Sequence, residues 1–337
     1  MLRRSVVAAV VLSLLTVGVG IARADSAPDY APVDAPGPEL AVPRADLDAS
    51  LRCPAALADV DREVVLMIPG TTVDPDESFS WNYAKALTAE GIPHCTVQLP
   101  NHTDGDIQVA AEYVVDAVRT IHAATGREVI LFGWSQGAST LPRWALRFWP
   151  DIRPMVASLV GLAPLNNKGT LVSNGPCLVG SCVPAAWQQS VGSDFMAALN
   201  SGQQTFDDIA YTVIYSRFDE VVTPNLDGSR SVLPEGPNVT NVAIQDLCAA
   251  DLSEHLTIIA SPTAYAVALD AFTHPGEAAD LDRVVVPEPC LPGTMPGVTP
   301  ADFATQELRI GLNVGPHLLT GRVPAEPPLA CYVTASC

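Results

Sequence analysis

The chain has 337 residues and a formal net charge of −19, with 37 acidic against 18 basic residues. This charge argues against nucleic acid as a partner, because phosphate binding needs a basic surface, and it disfavours an anionic membrane for the same reason. The length is sufficient for one large domain with a substantial core.

The first 24 residues have the pattern of a secretory signal peptide. Arg3 and Arg4 precede an apolar run over 6–21, which ends in the small-x-small cleavage pattern Ala22-Arg23-Ala24. The alternative is an uncleaved membrane anchor, but the run is short for a bilayer span. We therefore predict a Sec-type signal peptide over residues 1–24 and a secreted, extracellular protein.

The rest of the chain is predicted to contain an arm and one domain. Residues 25–50 are rich in Pro, Ala and Asp, which predicts an extended N-terminal arm, and residues 51–337 are predicted to form a single catalytic domain. All eight cysteines follow residue 24, and an even number in an exported protein indicates disulfides. We expect no metal, no organic cofactor and a monomer.

Short β-branched runs alternate with helical patterns along the chain. This order predicts an α/β fold with a mostly parallel central sheet and helices on both faces. Helices are predicted over 107–121 and 137–149, and the Gly- and Pro-rich stretches 176–184 and 287–300 are predicted to be loops. The predicted strands are 64–68, 95–99, 128–133, 156–162, 211–216 and 241–247.

The motif Gly133-Trp134-Ser135-Gln136-Gly137 ends a predicted strand and opens a predicted helix. That setting is typical of the α/β-hydrolase fold, in which the central serine lies on a tight turn and acts as a nucleophile. The alternative is an ordinary glycine-rich turn without catalysis. The context favours a nucleophilic Ser135.

A serine nucleophile needs a histidine base and an orienting carboxylate, which in this fold follow in the order serine, acid, histidine. Asp219 comes directly after the strand predicted over 211–216, and Glu220 beside it is a weaker competitor. Downstream histidines are His255, His274 and His317. We favour Asp219 and His255, because each follows the carboxyl end of a predicted strand.

Acyl transfer also needs donors for the developing oxyanion. The backbone N–H of Gln136, immediately after the nucleophile, is one candidate. The loop over 68–72 is predicted to supply the other, and Thr71 can add its hydroxyl. Pro-Gly-Thr is also an ordinary turn sequence.

Several segments in this order resemble the fungal lipase B family of α/β-hydrolase serine lipases, typified by Candida antarctica lipase B, and point to a bacterial branch of it. The resemblance runs from Cys53 to Cys290. The segments that carry it are Pro69-Gly70-Thr71 with Ser78-Phe79, Glu112-Tyr113-Val114-Val115, Trp134-Ser135-Gln136-Gly137, Trp187-Gln188-Gln189 and Tyr215-Ser216-Arg217-Phe218-Asp219-Glu220.

The resemblance implies roles for individual residues. It implies a triad of Ser135, Asp219 and His255 with an oxyanion hole from Thr71 and Gln136, Trp134 and Ser78 at the floor of the alcohol-side pocket, and Gln189 along the acyl tunnel. It also implies the disulfides Cys53–Cys95 and Cys248–Cys290. Proximity in the sequence pairs the remaining cysteines as Cys177–Cys182 and Cys331–Cys337.

The chain departs from the family pattern in three places. Val73 stands where the family has a threonine in the alcohol pocket, and an extra residue in 163–169 leaves open whether Asn166 or Asn167 replaces a polar group near the acyl tunnel. The C-terminal region is shorter and is expected to lack the family's Ala-rich helix at the site mouth.

The leading hypothesis is a secreted serine lipase or carboxylesterase that hydrolyses acylglycerols or similar esters through an acyl-enzyme on Ser135. Its partner would be a small-molecule or lipid ester, with transient contact to a lipid interface. The alternatives are a short-chain or cutinase-like polyester esterase, an acyltransferase in a site that excludes water, and a binding protein that keeps the hydrolase fold without catalysis.

Overall fold

The computed structural model describes residues 29–286, 290 and 293–335. The predicted signal peptide, residues 1–24, therefore lies outside the described residues. Within the described chain, no helix combines the length and the apolar character that crossing a membrane requires.

The centre of the molecule is a seven-stranded sheet with the order β1-β3-β2-β4-β5-β6-β7. All neighbouring strands run parallel except β1, which pairs antiparallel with β3. The strands are β1 (Leu51–Arg52), β2 (Val64–Ile68), β3 (His94–Val97), β4 (Val129–Trp134), β5 (Val156–Leu162), β6 (Ala210–Tyr215) and β7 (Val239–Ala243).

Helices cover both faces of this sheet. The helices are α1 (Arg44–Ser50), α2 (Pro75–Phe79), α3 (Tyr83–Ala89), α4 (Ile107–Thr125), α5 (Thr140–Phe148), α6 (Leu171–Cys177), α7 (Pro184–Gln188), α8 (Asp194–Leu199), α9 (Ile244–Leu247), α10 (Pro262–Thr273) and α11 (Pro300–His317). The predicted α/β class, with a mostly parallel sheet between helical layers, is confirmed.

The sequence of β2 shows why the sheet has two buried faces. Its five residues, Val-Val-Leu-Met-Ile, are all buried, as expected for a parallel strand covered on both sides. Alternate side chains enter different cores: Val64, Leu66 and Ile68 pack with α4 and α5, whereas Val65 and Met67 pack with α3 and α10.

Helix α4 shows how local sequence sets the boundaries. The Asp106 side chain accepts a hydrogen bond from the Gln108 N–H at its start, and Gly126 ends it in a left-handed conformation with φ 68°. The helix thus extends one turn beyond the predicted 107–121, and it brings β4 back parallel to β2.

Several predicted boundaries need correction. The strand predicted over 241–247 is β7 followed by the short helix α9, so its last four residues are helical. Residues 29–43 carry no helix, but the last seven residues of the arm predicted as extended form α1, which buries Leu47 against the core. The loop predicted over 176–184 begins inside α6. Strand β1 was not predicted, because two residues give no alternation pattern.

Candidate active site

The turn at Ser135 is crowded on all sides. Ser135 follows β4 with a positive φ of 56°, a conformation that non-glycine residues adopt rarely. A Cβ added to Gly133 would lie 2.0 Å from the Gly137 carbonyl oxygen, and one added to Gly137 would lie 2.1 Å from the Ile68 carbonyl oxygen. The two glycines of the motif are therefore needed for β4, the turn and the loop after β2 to pack together.

Three side chains form one hydrogen-bonded chain at the carboxyl edge of the sheet. His255 Nε2 lies 2.9 Å from Ser135 Oγ, and His255 Nδ1 lies 2.8 Å from Asp219 Oδ2. Ser135 is 9 % exposed, and Asp219 and His255 are each 5 % exposed. Because the carboxylate accepts the Nδ1–H, the neutral imidazole presents an unprotonated Nε2 to the serine hydroxyl.

Asp219 is itself held by the backbone. Its Oδ1 accepts hydrogen bonds from the N–H groups of Val221 and Val222, at 2.9 and 2.6 Å. One carboxylate oxygen is thus fixed by the chain that follows β6, and the other is directed at the imidazole. This arrangement sets the orientation of the ring rather than leaving it to side-chain rotation.

The pKa of His255 is raised above its ordinary value. Burial lowers this pKa, but the Asp219 carboxylate opposes that effect by charge and by its hydrogen bond, and Glu220 and Glu254 add to the increase. Glu220 also accepts a hydrogen bond from the His255 backbone N–H at 3.1 Å. The competitor carboxylate Glu220 therefore holds the backbone of the histidine, while Asp219 holds its ring.

The other two candidate histidines lie elsewhere. His274 Nδ1 contacts the Asp270 carbonyl oxygen at 2.8 Å, at the end of α10. His317 Nδ1 donates to the Thr72 carbonyl oxygen at 2.9 Å, and its ring stacks on His102 at 3.8 Å between centroids. Neither histidine is hydrogen-bonded to Ser135.

The candidate oxyanion donors form a polar network beside the serine. The Thr71 hydroxyl donates to Gln136 Oε1 at 2.9 Å, and Gln189 Nε2 donates to both of those oxygens, at 3.0 Å to Thr71 Oγ1 and 2.9 Å to Gln136 Oε1. Gln136 Nε2 donates to the Thr103 carbonyl oxygen at 3.1 Å. The structure thus brings Thr71, Gln136 and Gln189 together next to Ser135.

A cavity of about 340 Å³ opens onto Ser135 and His255. Trp134 and Gln189, two of the residues expected in the pocket, lie on its wall, and so does Val73. The wall is largely apolar. It comprises Thr71, Thr72, Val73, Trp134, Ser135, Leu165, Thr170, Val172, Ser173, Ala186, Gln189, Glu220, Val221, Val222, His255, Leu256, Ile310, Gly311, Val314 and Leu318.

Three other candidate residues are not part of this wall. Ser78 is fully buried and donates its hydroxyl to the Asp74 carbonyl oxygen at 2.9 Å. The Asn166 and Asn167 side chains donate to the carbonyl oxygens of Ser231 and Val232 and also lie off the wall. The insertion in 163–169 is therefore tied to the loop before β7.

Helix α11 lines part of the cavity, although the C-terminal region was expected only to lack an Ala-rich helix near the site. Ile310, Gly311 and Val314 from α11 are on the wall. Its composition, with two alanines in 18 residues, still differs from an Ala-rich helix. Thr299-Pro300 in the sequence indicates where this helix begins. The Thr299 side chain caps the helix by accepting a hydrogen bond from the Asp302 N–H, and proline is favoured at the first helical position.

Disulfides join Cys53 to Cys95, Cys177 to Cys182 and Cys248 to Cys290, which are the pairs expected. Cys331 is disulfide-bonded, but Cys337 lies outside the described residues, so that pairing stays a prediction. The Cys248–Cys290 bond links the chain after β7, close to His255, to the segment that leads to α11.

Among the described residues, Asp74, Glu77 and His102 offer ligand atoms within 4.8 Å of one another, as a metal ion would require. Glu77 is already engaged, because its Oε1 accepts from Asn313 Nδ2 at 2.5 Å and its Oε2 from the Asp74 N–H at 3.1 Å. We assign no catalytic step to this group.

Comparisons with known proteins agree with the α/β fold of this chain. The model of the alpha/beta hydrolase family matches residues 65–290. The chain is 32% identical over 211 residues to lipase B of Pseudozyma antarctica, a match that spans 61% of this chain and 61% of that relative. The crystal structure of Aspergillus fumigatus lipase B superimposes with a TM-score of 0.79 and 26% identity, covering 89% of this chain and 74% of that one.

Proposed function

The chain belongs to the alpha/beta hydrolase family, and from that premise we propose that it is a serine lipase or carboxylesterase that hydrolyses carboxylic esters. The observation that carries the proposal is the hydrogen-bonded chain from Asp219 through His255 to Ser135. The similarity to the two lipases B supports the same activity.

The proposed reaction passes through an acyl-enzyme. Ser135 Oγ attacks the ester carbonyl carbon while His255 Nε2 takes the hydroxyl proton, and Asp219 stabilises the resulting imidazolium. The proton then passes to the leaving alkoxide, which departs as the alcohol. Water attacks the acyl-Ser135 with His255 again as base, releasing the carboxylic acid and restoring the serine.

The oxyanion of each tetrahedral intermediate would be stabilised by the Gln136 backbone N–H and by Thr71. Ser135 and Gln136 lie in the short 3-10 helix that follows β4, so the Gln136 amide directly follows the attacking serine in the chain. A fixed donor at this position acts only when negative charge develops, which is the condition for lowering the barrier.

The surroundings of the mouth favour an apolar acyl group and a lipid interface. Besides the apolar wall, α6 and α11 carry exposed apolar side chains next to the wall residues they contribute, including Leu171 at 56%, Leu308 at 64% and Leu312 at 65% exposure. Leu178 and Val179, directly after α6, are 85% and 78% exposed. Exposed apolar side chains on two elements that also line the cavity support contact with another apolar phase. The net charge of −19 favours an uncharged lipid surface over an anionic one.

A second candidate, a short-chain esterase, is favoured by the size of the cavity. Its volume of about 340 Å³ lies near the lower end of ligand pockets, which span roughly 300–1,000 Å³. A long acyl chain would therefore need more space than this cavity provides. Helix α11 could supply it by moving, because few of its side chains are buried.

We also propose that the protein is secreted. The export pattern over 1–24 supports this location, and so do the three disulfides of the described chain, since such bonds persist mainly in oxidising compartments.

The test is ester hydrolysis by the full mature chain with p-nitrophenyl esters from acetyl to palmitoyl. Ser135→Ala should reduce kcat by about 10⁶-fold and abolish labelling by a fluorophosphonate probe. A maximum at octanoyl or longer chains would support a lipase, and a maximum at acetyl to butyryl would support the short-chain esterase. If Ser135→Ala hydrolysed these esters at the wild-type rate, the proposal would be wrong, and failure of the wild type to label would favour a non-catalytic binding protein.

A further inference from the structure

The hydroxyl of Thr71 is already used in the resting site, which raises a question about how it can serve an oxyanion. Its proton is donated to Gln136 Oε1 at 2.9 Å. A threonine hydroxyl has one proton, so it can stabilise an oxyanion only by giving up this bond. Unless another donor remained, the buried Gln136 Oε1 would then be left unpaired at a cost of about 1–3 kcal/mol.

Gln189 supplies that other donor. Its Nε2 lies 2.9 Å from Gln136 Oε1, 3.0 Å from Thr71 Oγ1 and 3.2 Å from the Ala185 carbonyl oxygen. The amide nitrogen has two N–H bonds for these three oxygens, so at least one N–H is shared between two acceptors. The Ala185 carbonyl oxygen and Gln136 Oε1 can only accept, so the amide nitrogen, and not the amide oxygen, must face them. Gln189 is 5 % exposed, so water does not readily replace these bonds.

The orientation of Gln136 is fixed from the opposite side. Its Nε2 donates to the Thr103 carbonyl oxygen at 3.1 Å, which directs Oε1 towards Thr71 and Gln189. The Thr103 hydroxyl in turn donates to the Val73 carbonyl oxygen at 3.1 Å, in the loop that carries Thr71. The three side chains therefore form a closed network around one acceptor atom, Gln136 Oε1.

We propose that Gln189 is a positioning residue for catalysis, which lets the Thr71 hydroxyl exchange its acceptor during the reaction. In the resting site Gln136 Oε1 accepts from both Thr71 and Gln189. When the oxyanion forms, the Thr71 hydroxyl rotates to donate to it, while a Gln189 N–H stays bonded to Gln136 Oε1 and, shared with Thr71 Oγ1, keeps the threonine in place. The exchange leaves no buried acceptor without a donor.

This inference rests on the proposed ester hydrolysis. It differs from a simple lining role for Gln189 in the kinetic parameter that should change. A residue that only lines the acyl side of the pocket would affect KM and the preference for chain length. A residue that releases the Thr71 hydroxyl acts in the transition state, so it should affect kcat and should depend on Thr71 being present.

The experiment is a double-mutant cycle of Thr71→Val and Gln189→Leu in the mature protein, with a p-nitrophenyl ester in the range the wild type prefers. We expect Thr71→Val to lower kcat by about 10²-fold, as for loss of one oxyanion donor. Gln189→Leu should lower kcat about tenfold with KM changed less than about threefold, and the double variant should be no slower than Thr71→Val alone. Losses that multiply, or an effect of Gln189→Leu on KM alone, would overturn the proposal.

Two further variants separate positioning from packing. Gln188→Leu removes a neighbouring buried amide that bonds the Ile107 N–H and Asp106 at the start of α4, and it should lower Tm while leaving kcat within about twofold. Gln189→Glu keeps the side-chain length but replaces the donor by a carboxylate that competes for the Thr71 hydroxyl, so it should be slower than Gln189→Leu. A wild-type rate for Gln189→Glu would overturn the proposal.

Fluorophosphonate labelling distinguishes failure of this inference from failure of the proposed function. If the wild type does not label at Ser135, both proposals are wrong. If the wild type labels and hydrolyses esters but the cycle is additive, ester hydrolysis stands and the role of Gln189 is wrong.

Discussion

The turn at Ser135 and helix α11 both border the pocket, but they are held in different ways. At the turn, a Cβ on Gly133 or Gly137 would overlap backbone atoms, whereas nothing lies within 4 Å of a Cβ on Gly311 or Gly315 in α11. Of the side chains described in α11, only Ile310 is buried. The reactive serine thus lies on a closely packed turn, and the cavity beside it is bordered by a helix with few buried side chains.

This difference implies that reactivity and substrate access can be changed separately. The catalytic groups at the carboxyl ends of the strands are held by backbone hydrogen bonds, as a proton-transfer chain requires. Helix α11 is held by a few side-chain contacts, including the bond from Asn313 to Glu77 and that from His317 to Thr72. Elements with few buried contacts open at low free-energy cost.

After the loss of Ser135 itself, the largest expected effect comes from Asp219→Asn, at the carboxyl ends of the strands. The new side-chain oxygen can still accept from the Val221 and Val222 N–H groups, so the fold should be retained. The new amide nitrogen would donate a hydrogen bond to His255 Nδ1, so the imidazole proton would have to lie on Nε2 instead. A protonated Nε2 cannot accept the proton of the Ser135 hydroxyl. We expect a loss of about 10⁴-fold in kcat.

The matched control is Asp246→Asn, which removes a half-exposed carboxylate that pairs with Arg217 at 2.9 Å. It should leave kcat within about twofold, because exposed ion pairs contribute about 1 kcal/mol or less. Equal losses in the two variants would mean that Asp219 has no special role.

The second effect is on stability and compares the two regions directly. In Gly137→Ala the added Cβ would lie 2.1 Å from the Ile68 carbonyl oxygen, and backbone atoms cannot move aside cheaply. We expect a loss of about 3 kcal/mol or more in the free energy of unfolding, measured by urea titration.

Gly315→Ala is the counterpart in α11, where the new Cβ meets nothing within 4 Å. Because alanine favours a helix over glycine by up to about 1 kcal/mol, this variant should be neutral or slightly stabilised. Destabilisation of Gly315→Ala as large as that of Gly137→Ala would contradict the contrast between the regions.

The same contrast explains what the sequence predicted. Strong local signals mark the sheet edge: a buried β-run, two glycines around Ser135, and Asp219 directly after a strand of alternating β-formers. Those constraints are local in the chain, so the spacing alone pointed to the residues that the fold brings together.

What the sequence did not predict depends on tertiary contacts. Helix α11 has an amphipathic pattern interrupted by Gly311, Gly315 and Pro316, and its place at the mouth is set by contacts with α2 and Thr72, far away in the chain. The resemblance predicts Ser78 as a pocket residue, but its hydroxyl donates to the Asp74 carbonyl oxygen. The direction of the Ser78 hydroxyl is decided by this bond to the residue that caps α2.

A third, smaller effect should come from loosening α11. Asn313→Ala removes the 2.5 Å hydrogen bond to Glu77 Oε1 without touching the pocket wall. A more mobile α11 would hold Ile310 and Val314 less firmly against a long acyl group. We expect KM for the longest accepted ester to rise about threefold, with kcat for the acetyl ester within about twofold of wild type.

Lys85→Ala provides the control, because it removes a 3.5 Å ion pair to Asp302 between two exposed side chains at the other end of α11. It should leave both parameters near those of the wild type. An identical change in KM for acetyl and long-chain esters in Asn313→Ala would show that α11 does not discriminate by chain length.

The smallest expected effect is a pH dependence that links the two regions. Glu307, on α11, is partly buried, and its pKa is raised to about 7, mainly by this partial burial and further by the charges of Glu254 and Glu220 near His255. A carboxyl group whose pKa is higher in the folded than in the unfolded state favours folding when protonated, so its contribution falls as the pH rises from 4.5 to about 7 and is constant above that. Glu307→Gln removes this loss. Its Tm relative to wild type should therefore increase across that interval, by on the order of 2 °C, with a parallel increase in amide-exchange protection over residues 300–317. A Tm difference that did not change with pH would mean that folding does not raise the pKa of Glu307.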